Sequence, residues 1–255
     1  MTGRNILIAL AIYHDGNWRK IYNSIKDVEL LSRLDYKNLL SKLKSNAITI
    51  LDPEYPSYLK QIKMPPFVLF YKGDISLIYE NKNHLAVIGS REVEEEYATA
   101  TRNLVNNINK DIVVVSGVAK GVDAIAHESA LKSGKKTIGV IGSGLDVVYP
   151  IENEELYEKI ARDGLLISEY PHGSPPEMYH FPFRNRLIAA FSNATLVTQA
   201  SIKSGTMITA TFTLEQNKNV MCLPSNKFNE SGCNLLIKEG AFLVENEEEI
   251  EYFLR

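Results

Sequence analysis

The stretch LAVIGSRE, residues 85–92, decides the fold, because a short apolar run ends there in a small-residue loop that leads into a helix. The same pattern recurs in VVVSGVAKGVDAIAH (113–127) and in LVTQASIKSGTMITA (196–210). Each segment is typical of a buried strand that feeds the N-terminus of a helix. Repetition of this unit predicts an α/β fold with a doubly wound, mostly parallel sheet.

Seven strands of such a sheet are predicted, at residues 84–88, 112–115, 137–141, 165–168, 195–198, 220–223 and 242–244. Before residue 82 the pattern is helical, over 6–12, 18–31 and 34–43, and then extended and rich in proline. We therefore predict two domains. Residues 1–80 would form a small all-α domain with a proline-rich connector, and residues 81–255 an extended Rossmann-like domain.

The composition is that of an ordinary globular protein: 255 residues, 45% of them hydrophobic, with a formal net charge of −3. That charge argues mildly against nucleic acid, since nucleic-acid-binding domains usually carry a basic excess. The most apolar N-terminal stretch, residues 5–13, is about half as long as a membrane span. Cys222 and Cys233 form neither a CxxC pair nor a disulfide framework. We expect a cytoplasmic protein with no membrane span, metal or cofactor.

The loops expected at the carboxyl edge of the sheet carry polar and cationic side chains. Because the strands of a parallel sheet all end on one side, these side chains should form a row of hydroxyls, cations and backbone donors. Such a row binds anions, most naturally phosphates. Its predicted members are Ser90, Arg91, Ser116, Lys120, Lys203, Ser204 and Thr206.

The glycine-rich loops do not match common nucleotide-binding motifs. IGSGLDV (141–147) has valine at the third glycine position of GxGxxG, and GKKT (134–137) lacks the earlier glycine of a P-loop. The phosphoribohydrolases with lysine-decarboxylase-like folds need a catalytic glutamate where this chain has Thr209. A nucleotide- or nucleotide-sugar-processing enzyme of that Rossmann class is therefore the alternative hypothesis, not the favoured one.

Asp123 and His127 lie four residues apart on one predicted helix face, a spacing that suits a metal or a proton relay. The simpler interpretation is an aspartate at a helix start and a histidine packed against the sheet, and we favour it. Neither Ser116 nor Ser204 lies in a GxSxG elbow. We expect no catalytic residues.

The segment HFPFRNRLIAAFSNA (180–194) brings Arg184, Asn185 and Arg186 together at a predicted helix start, beside several aromatic residues. Two interpretations stay open. Either the arginines pair with nearby acids, or their guanidinium groups bind phosphates while the aromatic faces stack on bases.

Seven motifs, in their order and spacing, resemble the family of DNA-processing proteins DprA, also called Smf: GSREV, SGVAKGVDAIAHESAL, IGSGLDVVYP, ISEYPHGSPP, HFPFRNRLIA, KSGTMITA and ESGCNLLIKEGA. The resemblance covers essentially all of residues 85–244, and DPEYPSYLKQIKMPPFVLFYKGD upstream is similar to the family's lead-in. It implies a non-enzymatic protein that binds single-stranded DNA, protects it and helps load the recombinase RecA during natural transformation.

Carried over motif by motif, the resemblance implies a DNA site built from four segments. Lys120 stands where the family usually has arginine, Gln199 replaces the usual acid, and Ser225 replaces the glycine that usually follows the proline. The implied DNA-binding residues are Gly89, Ser90, Arg91, Ser116, Gly117, Lys120, Arg184, Asn185, Arg186, Lys203, Ser204, Gly205 and Thr206.

The resemblance also implies a homodimer formed through the C-terminal part of the Rossmann-like domain. The predicted helix 233–238 and strand 242–244 are too short for all of their apolar residues to face inward. We therefore place Ile237 and Leu243 in the interface. Many relatives carry a C-terminal winged-helix domain, which we expect this chain to lack because its sequence stops at residue 255.

Overall fold

The structure, a computed structural model, describes residues 2–79 and 83–254. Its N-terminal part contains four short helices: α1 (Gly3–Tyr13), α2 (Trp18–Ile25), α3 (Val28–Arg33) and α4 (Tyr36–Ser41). The single helix predicted over 18–31 is wrong, because the Asp27 side chain accepts from the Leu30 amide and starts a new helix there.

Two strands follow in the stretch predicted as a connector. β1 (Asn46–Thr49) pairs antiparallel with β2 (Val68–Gly73), and the single turn α5 (Ser57–Lys60) lies between them. The prolines of this stretch lie outside both strands, where the missing amide breaks no ladder. The predicted domain boundary, between residues 80 and 81, lies outside the described residues.

All seven predicted strands are present: β3 (His84–Ile88), β4 (Val113–Ser116), β5 (Thr137–Ile141), β6 (Leu165–Ser168), β7 (Ala194–Val197), β8 (Asn219–Cys222) and β9 (Phe242–Leu243). They pair in parallel, and β2 adds antiparallel to β6. Within the described residues this makes one nine-stranded sheet, in the order β1-β2-β6-β5-β4-β3-β7-β8-β9. The predicted fold class, a doubly wound α/β sheet preceded by a helical segment, is confirmed.

Helices cover both faces of the sheet: α6 (Glu95–Asn107), α7 (Val122–Lys132), α8 (Glu154–Asp163), α9 (His180–Phe191), α10 (Gly205–Glu215), α11 (Gly232–Lys238) and α12 (Glu247–Leu254). β3 is therefore apolar on both sides. Leu85 and Val87 pack in one core cluster with Ala126 of α7, while Ala86 and Ile88 pack in another with residues of α9. In the described part of the chain, no helix has the length and apolar character needed to cross a bilayer.

The strand order reverses at β3. From β3 the chain builds outward to β6, and it then returns to place β7 on the other side of β3. Loops that leave neighbouring strands at such a reversal diverge to opposite faces, so a crevice opens between them. The carboxyl ends of β3 and β7 are therefore where the fold positions a ligand site.

Candidate nucleic-acid interface

A cleft of about 630 Å³ opens at this reversal. Its walls are the loops after β3 and β7 and the first turns of α9 and α10. Several residues predicted from three separate motifs meet here: Gly89, Ser90, Arg91, Arg184, Asn185, Ser204, Gly205 and Thr206. A smaller cavity of about 70 Å³ shares Arg91 and Arg184 with the cleft and brings in Gly117 and Lys120.

The loop after β3 is held at its backbone and leaves its cation free. The Ser90 amide donates to the Gln199 carbonyl (2.8 Å), and the Ser90 carbonyl accepts from the Val122 amide (3.1 Å). The Arg91 side chain is exposed, with its guanidinium 5.6 Å from the centre of the Phe181 ring. No described residue accepts a hydrogen bond from Arg91, so its donors are available to a phosphate.

The start of α10 offers unbonded backbone donors. The Ser204 hydroxyl donates to the Ser201 carbonyl (2.8 Å) and the Thr206 hydroxyl to the Gly89 carbonyl (3.0 Å), so neither side chain caps the helix. The amides of Gly205 and Thr206 have no acceptor in the described chain. A helix N-terminus with free amides attracts anions.

Lys203 precedes α10 and is exposed. Among the described residues it has no ion-pair partner. Asn185 sits at the opposite wall, where its side-chain amide donates to the Gly205 carbonyl (3.3 Å) and links α9 to α10. Lys203 and the free amides at the start of α10 therefore lie on a turn that a hydrogen bond ties to α9.

Arg184 is buried and holds the loop after β4. Its guanidinium donates to the carbonyl oxygens of Gly117 (2.7 Å) and Val140 and to the Asn185 side-chain oxygen (3.2 Å). A Cβ at Gly117 would stand 2.6 Å from the Arg184 guanidinium, so glycine is required for this approach. Burial lowers the pKa of Arg184 and outweighs the opposing effect of Asp123.

Asp123 supports the same loop from α7. Its Oδ2 atom accepts from the amides of Gly117 (3.2 Å) and Ala119 (3.4 Å), and burial raises its pKa. His127 faces elsewhere: its Nδ1 lies 2.6 Å from the Thr137 hydroxyl, and burial lowers its pKa to about 3. The two side chains thus have separate partners, as the simpler interpretation expects. Among the described residues there is no group of three or more His, Cys, Asp or Glu that could hold a metal.

Arg186 lies in the interior. α9 begins at His180, five residues before the start predicted at residue 185, so Arg186 sits in its second turn and turns away from Arg184. It donates to both oxygens of Glu169 (2.6 and 2.7 Å), twice to the Met64 carbonyl and once to the Phe183 carbonyl. These bonds occupy all of its donors, and only 1% of the residue is exposed. We therefore withdraw Arg186 from the implied DNA-binding residues.

Ser116 is also a structural residue, because it is fully buried and its hydroxyl donates to the Val87 carbonyl (2.7 Å) between β4 and β3. Lys120 is exposed as predicted, but its ammonium lies 2.6 Å from a carboxylate oxygen of Glu152. That hydrogen bond lowers the pKa of Glu152. A phosphate at Lys120 would therefore compete with a carboxylate that is already there.

One wall of the cleft is apolar, and sequence reasoning missed most of it. Tyr149, Met178 and Phe181 line it. We call these three residues, two with aromatic rings and one with a thioether, the aromatic ledge. The Tyr149 and Phe181 rings are 5.4 Å apart, and 89% of Met178 is exposed. Phe181 was in a segment singled out for its aromatic faces. The only signal for Tyr149 was an aromatic residue directly before a proline at the end of IGSGLDVVYP.

The fold and the cleft define a class of protein: a doubly wound, Rossmann-like protein with a crevice at the carboxyl edge of its sheet, where an exposed arginine and free helix amides lie beside an aromatic wall. Residues 46–255 match the family model for DNA recombination-mediator protein A. The chain therefore belongs to the DNA recombination-mediator protein A family, whose members include proteins named DprA and Smf.

Three curated relatives show how far the similarity extends. The DNA processing protein DprA of Streptococcus pneumoniae is 40% identical over 209 residues, which cover 81% of this chain and 73% of that protein. DprA of Bacillus subtilis is 37% identical over 212 residues, or 80% of this chain and 70% of that one. Protein Smf of Synechocystis is 40% identical over 205 residues, or 78% of this chain, and the match spans only 51% of that relative.

Two solved structures are similar over most of their length. The X-ray structure of DprA from Streptococcus pneumoniae superposes with a TM-score of 0.86 at 33% identity and covers 98% of this chain and 93% of that one. DNA processing protein A from Helicobacter pylori, described for its single-stranded DNA binding mode, has a TM-score of 0.73 at 33% identity, with coverages of 81% and 94%.

Proposed function

We propose that this protein binds single-stranded DNA in the cleft, in the cytoplasm, protects the strand and helps load the recombinase RecA during natural transformation and recombination. One observation carries the proposal: the free cation Arg91 and the unbonded amides of α10 line a cleft that also contains the aromatic ledge, and the exposed Lys203 lies two residues before α10. Phosphates and base faces are present in a single strand of any sequence. Family membership supports the mediator role, and the single-stranded DNA binding mode of the Helicobacter pylori protein supports the ligand.

The proposed ligand is a single strand rather than a duplex. The aromatic ledge offers ring faces, and the bases of a duplex are already stacked on one another. Backbone amides and cations contact phosphates and carry no direct sequence information. We therefore expect oligonucleotides of different sequence to bind within a small factor of one another, and duplex to bind more weakly.

The test is the salt dependence of oligonucleotide binding. Three cations, Arg91, Lys120 and Lys203, should together give a log–log slope of about −2, at roughly −0.7 per phosphate contact. Arg91→Ala and Lys203→Ala should each flatten the slope by about 0.7. Lys110→Ala is the matched control, since Lys110 is exposed in the loop before β4 and thus at the opposite edge of the sheet. Salt-independent binding, or full affinity in the double variant, would refute the proposal.

We assign no catalytic role to the cleft. Thr209 lies in its lining, at the position where the phosphoribohydrolase motif has a glutamate. The carboxyl groups in the lining belong to Glu92 and Asp123, and Asp123 is held by two backbone amides of the loop after β4. Incubation with ATP, NAD or nucleoside monophosphates, with and without magnesium, should leave them unchanged by chromatography. Turnover that disappears in His127→Ala would favour the enzyme hypothesis instead.

The homodimer remains part of the proposal, with Ile237 and Leu243 in its interface. β9 is the edge strand of the sheet, and 46% of Leu243 is exposed on it. Ile237 is half-buried on α11. Ile237→Glu should give a monomer by analytical ultracentrifugation that binds short oligonucleotides normally and loses its advantage on long ones. A wild type that is monomeric at micromolar concentration, or a variant that stays dimeric, would exclude this interface.

A further inference from the structure

The loop after β8, residues 224–230, continues the row of loops at the carboxyl edge. In the order of the sheet, the loops after β4, β3 and β7 carry Lys120, Arg91 and Lys203. β8 is the next strand, and its loop carries the exposed Lys227 and Phe228. We propose that this loop and the loop after β7 form a second nucleotide-binding site, where Phe228 stacks on a base and Lys227 binds the adjoining phosphate.

The two loops form one paired structure. Ser201 and Ser231 make an isolated antiparallel bridge, and the Ile202 amide donates to the Glu230 carbonyl (3.3 Å). The loop after β8 is also closed internally, since the Asn234 side chain bonds both the amide and the carbonyl of Ser225 (3.0 and 2.8 Å). A site on these loops is therefore built into the backbone and does not depend on a mobile segment.

Each loop presents an apolar residue next to a cation. Ile202 precedes Lys203, and both are exposed, while Lys227 precedes Phe228, which is 78% exposed. No described aromatic residue packs on the Phe228 ring. Aromatic faces interleaved with cations are the pattern with which proteins hold single strands without reading sequence.

A small cavity of about 140 Å³ lies between Lys227 and the cleft. It shares Ser90 and Ser201 with the cleft, and Lys227, Glu94 and Glu230 also line it. The Lys227 ammonium lies 2.8 Å from a Glu94 oxygen that also accepts from the Gln199 side chain. The ion pair is about half exposed, so it is weak, and the ammonium keeps two further donors. The two carboxylates place the phosphate on the solvent side of Lys227, away from the cavity.

The inference rests on the proposed function, since it extends the path of the same strand. Its test is binding as a function of length, with oligothymidylates of about 4 to 16 nucleotides. Phe228→Ala should weaken the binding of long oligonucleotides by about 5- to 100-fold and leave the binding of the shortest ones unaffected. Lys227→Gln should flatten the salt slope by about 0.7 on long oligonucleotides alone. Asn229→Ala, an exposed change in the same loop, is the control and should behave as wild type.

A second measurement reports base stacking directly. In Phe228→Trp, long oligothymidylates should quench the added tryptophan emission, with the wild type giving the Trp18 baseline. If Phe228→Ala and Lys227→Gln bind every length as wild type does and no quenching occurs, the proposal of a second site is wrong. The proposed site in the cleft is then still supported if Arg91→Ala weakens the binding of oligonucleotides of every length. If the wild type binds none of the oligonucleotides, the proposed function itself fails.

Discussion

Helix α9 and the loops at the carboxyl edge both contribute arginine, and they use it in opposite ways. Arg186 of α9 is buried, and every donor of its guanidinium is bonded to the protein. Arg91 of the loop after β3 is exposed and has no hydrogen-bond partner among the described residues. Both belong to motifs that resemble the same family. The presence of arginine in a motif therefore does not determine what that arginine does. The number of its hydrogen-bond donors that the protein leaves unbonded does.

The two regions should respond to different measurements. A buried guanidinium whose partner is a buried carboxylate contributes to the stability of the fold, because removing it leaves that charge unpaired. An exposed guanidinium contributes little to stability and is available to a ligand. Variants that change stability alone or binding alone are the sharpest way to test this division.

The largest effect is expected for Arg186→Ala, which would leave Glu169 buried and unpaired. The free energy of unfolding should fall by about 3–5 kcal/mol, as measured by urea denaturation. The fraction that remains folded should bind oligonucleotides with the wild-type salt slope. The double variant Arg186→Met, Glu169→Leu should recover much of the loss, since it removes both charges. A stable single variant with weakened DNA binding would reverse our assignment.

Arg91→Ala should show the opposite pattern: weaker DNA binding and unchanged stability. Loss of charge-assisted hydrogen bonds to a phosphate should weaken binding by about 1.5–3 kcal/mol, or roughly 10- to 100-fold, in a fluorescence-anisotropy titration. The melting temperature should stay within about 1 °C, since the side chain is exposed. Arg91→Lys should keep part of the affinity, because it retains the charge and loses the fork. An unstable Arg91→Ala would argue against the division between the two regions.

Tyr149→Ala separates the contribution of the aromatic ledge to DNA binding from that of the cations. Removing one stacking face should weaken single-strand binding by about 1–2 kcal/mol at every salt concentration, so that the slope does not change. Tyr149→Phe keeps the ring and should bind as wild type. If the phenylalanine variant is as weak as the alanine variant, the hydroxyl rather than the ring makes the contact.

The smallest effect is expected for Glu152→Gln, which frees the Lys120 ammonium from its carboxylate partner. Binding at low salt should tighten by at most about fivefold, and the gain should vanish at high salt, where exposed charges are screened. Glu155→Gln is the matched control, since Glu155 pairs with Lys159 on α8. Weaker binding by Glu152→Gln would show that this carboxylate orders the loop rather than competing with phosphate.

The parallel strands were predictable because their apolar runs are local and both of their faces are buried. β5 and β6 begin and end where the pattern predicted, at residues 137–141 and 165–168. β1 and β2 were missed, because four prolines lie between them and indicate a connector. The start of α9, predicted at residue 185, was placed too late, since the helix begins at His180 and Pro182 fits in its first turn, where the missing amide has no partner.

The roles of the arginines could not be predicted in the same way. Arg186 meets Glu169, 17 residues away, and the Met64 carbonyl, 122 residues away, and only the folded chain brings these groups together. The positions of Arg91 and Lys203 at the carboxyl edge were predictable, because Arg91 lies in the loop just after β3 and Lys203 in the loop just before α10. Side chains that complete a local turn can be read from the sequence, whereas those that bridge distant segments cannot.

The antiparallel pairing of β2 with β6 has a consequence for synthesis of the protein. About 90 residues separate the end of β2 from the start of β6. A ribosome that adds roughly 5–20 residues per second needs about 5–18 s to make that stretch. Until then β2 has β1 on one side and no partner on the other, and an unpaired strand edge invites association with other nascent chains. The newly made N-terminal segment is therefore the part of this protein on which a chaperone has the most time to act.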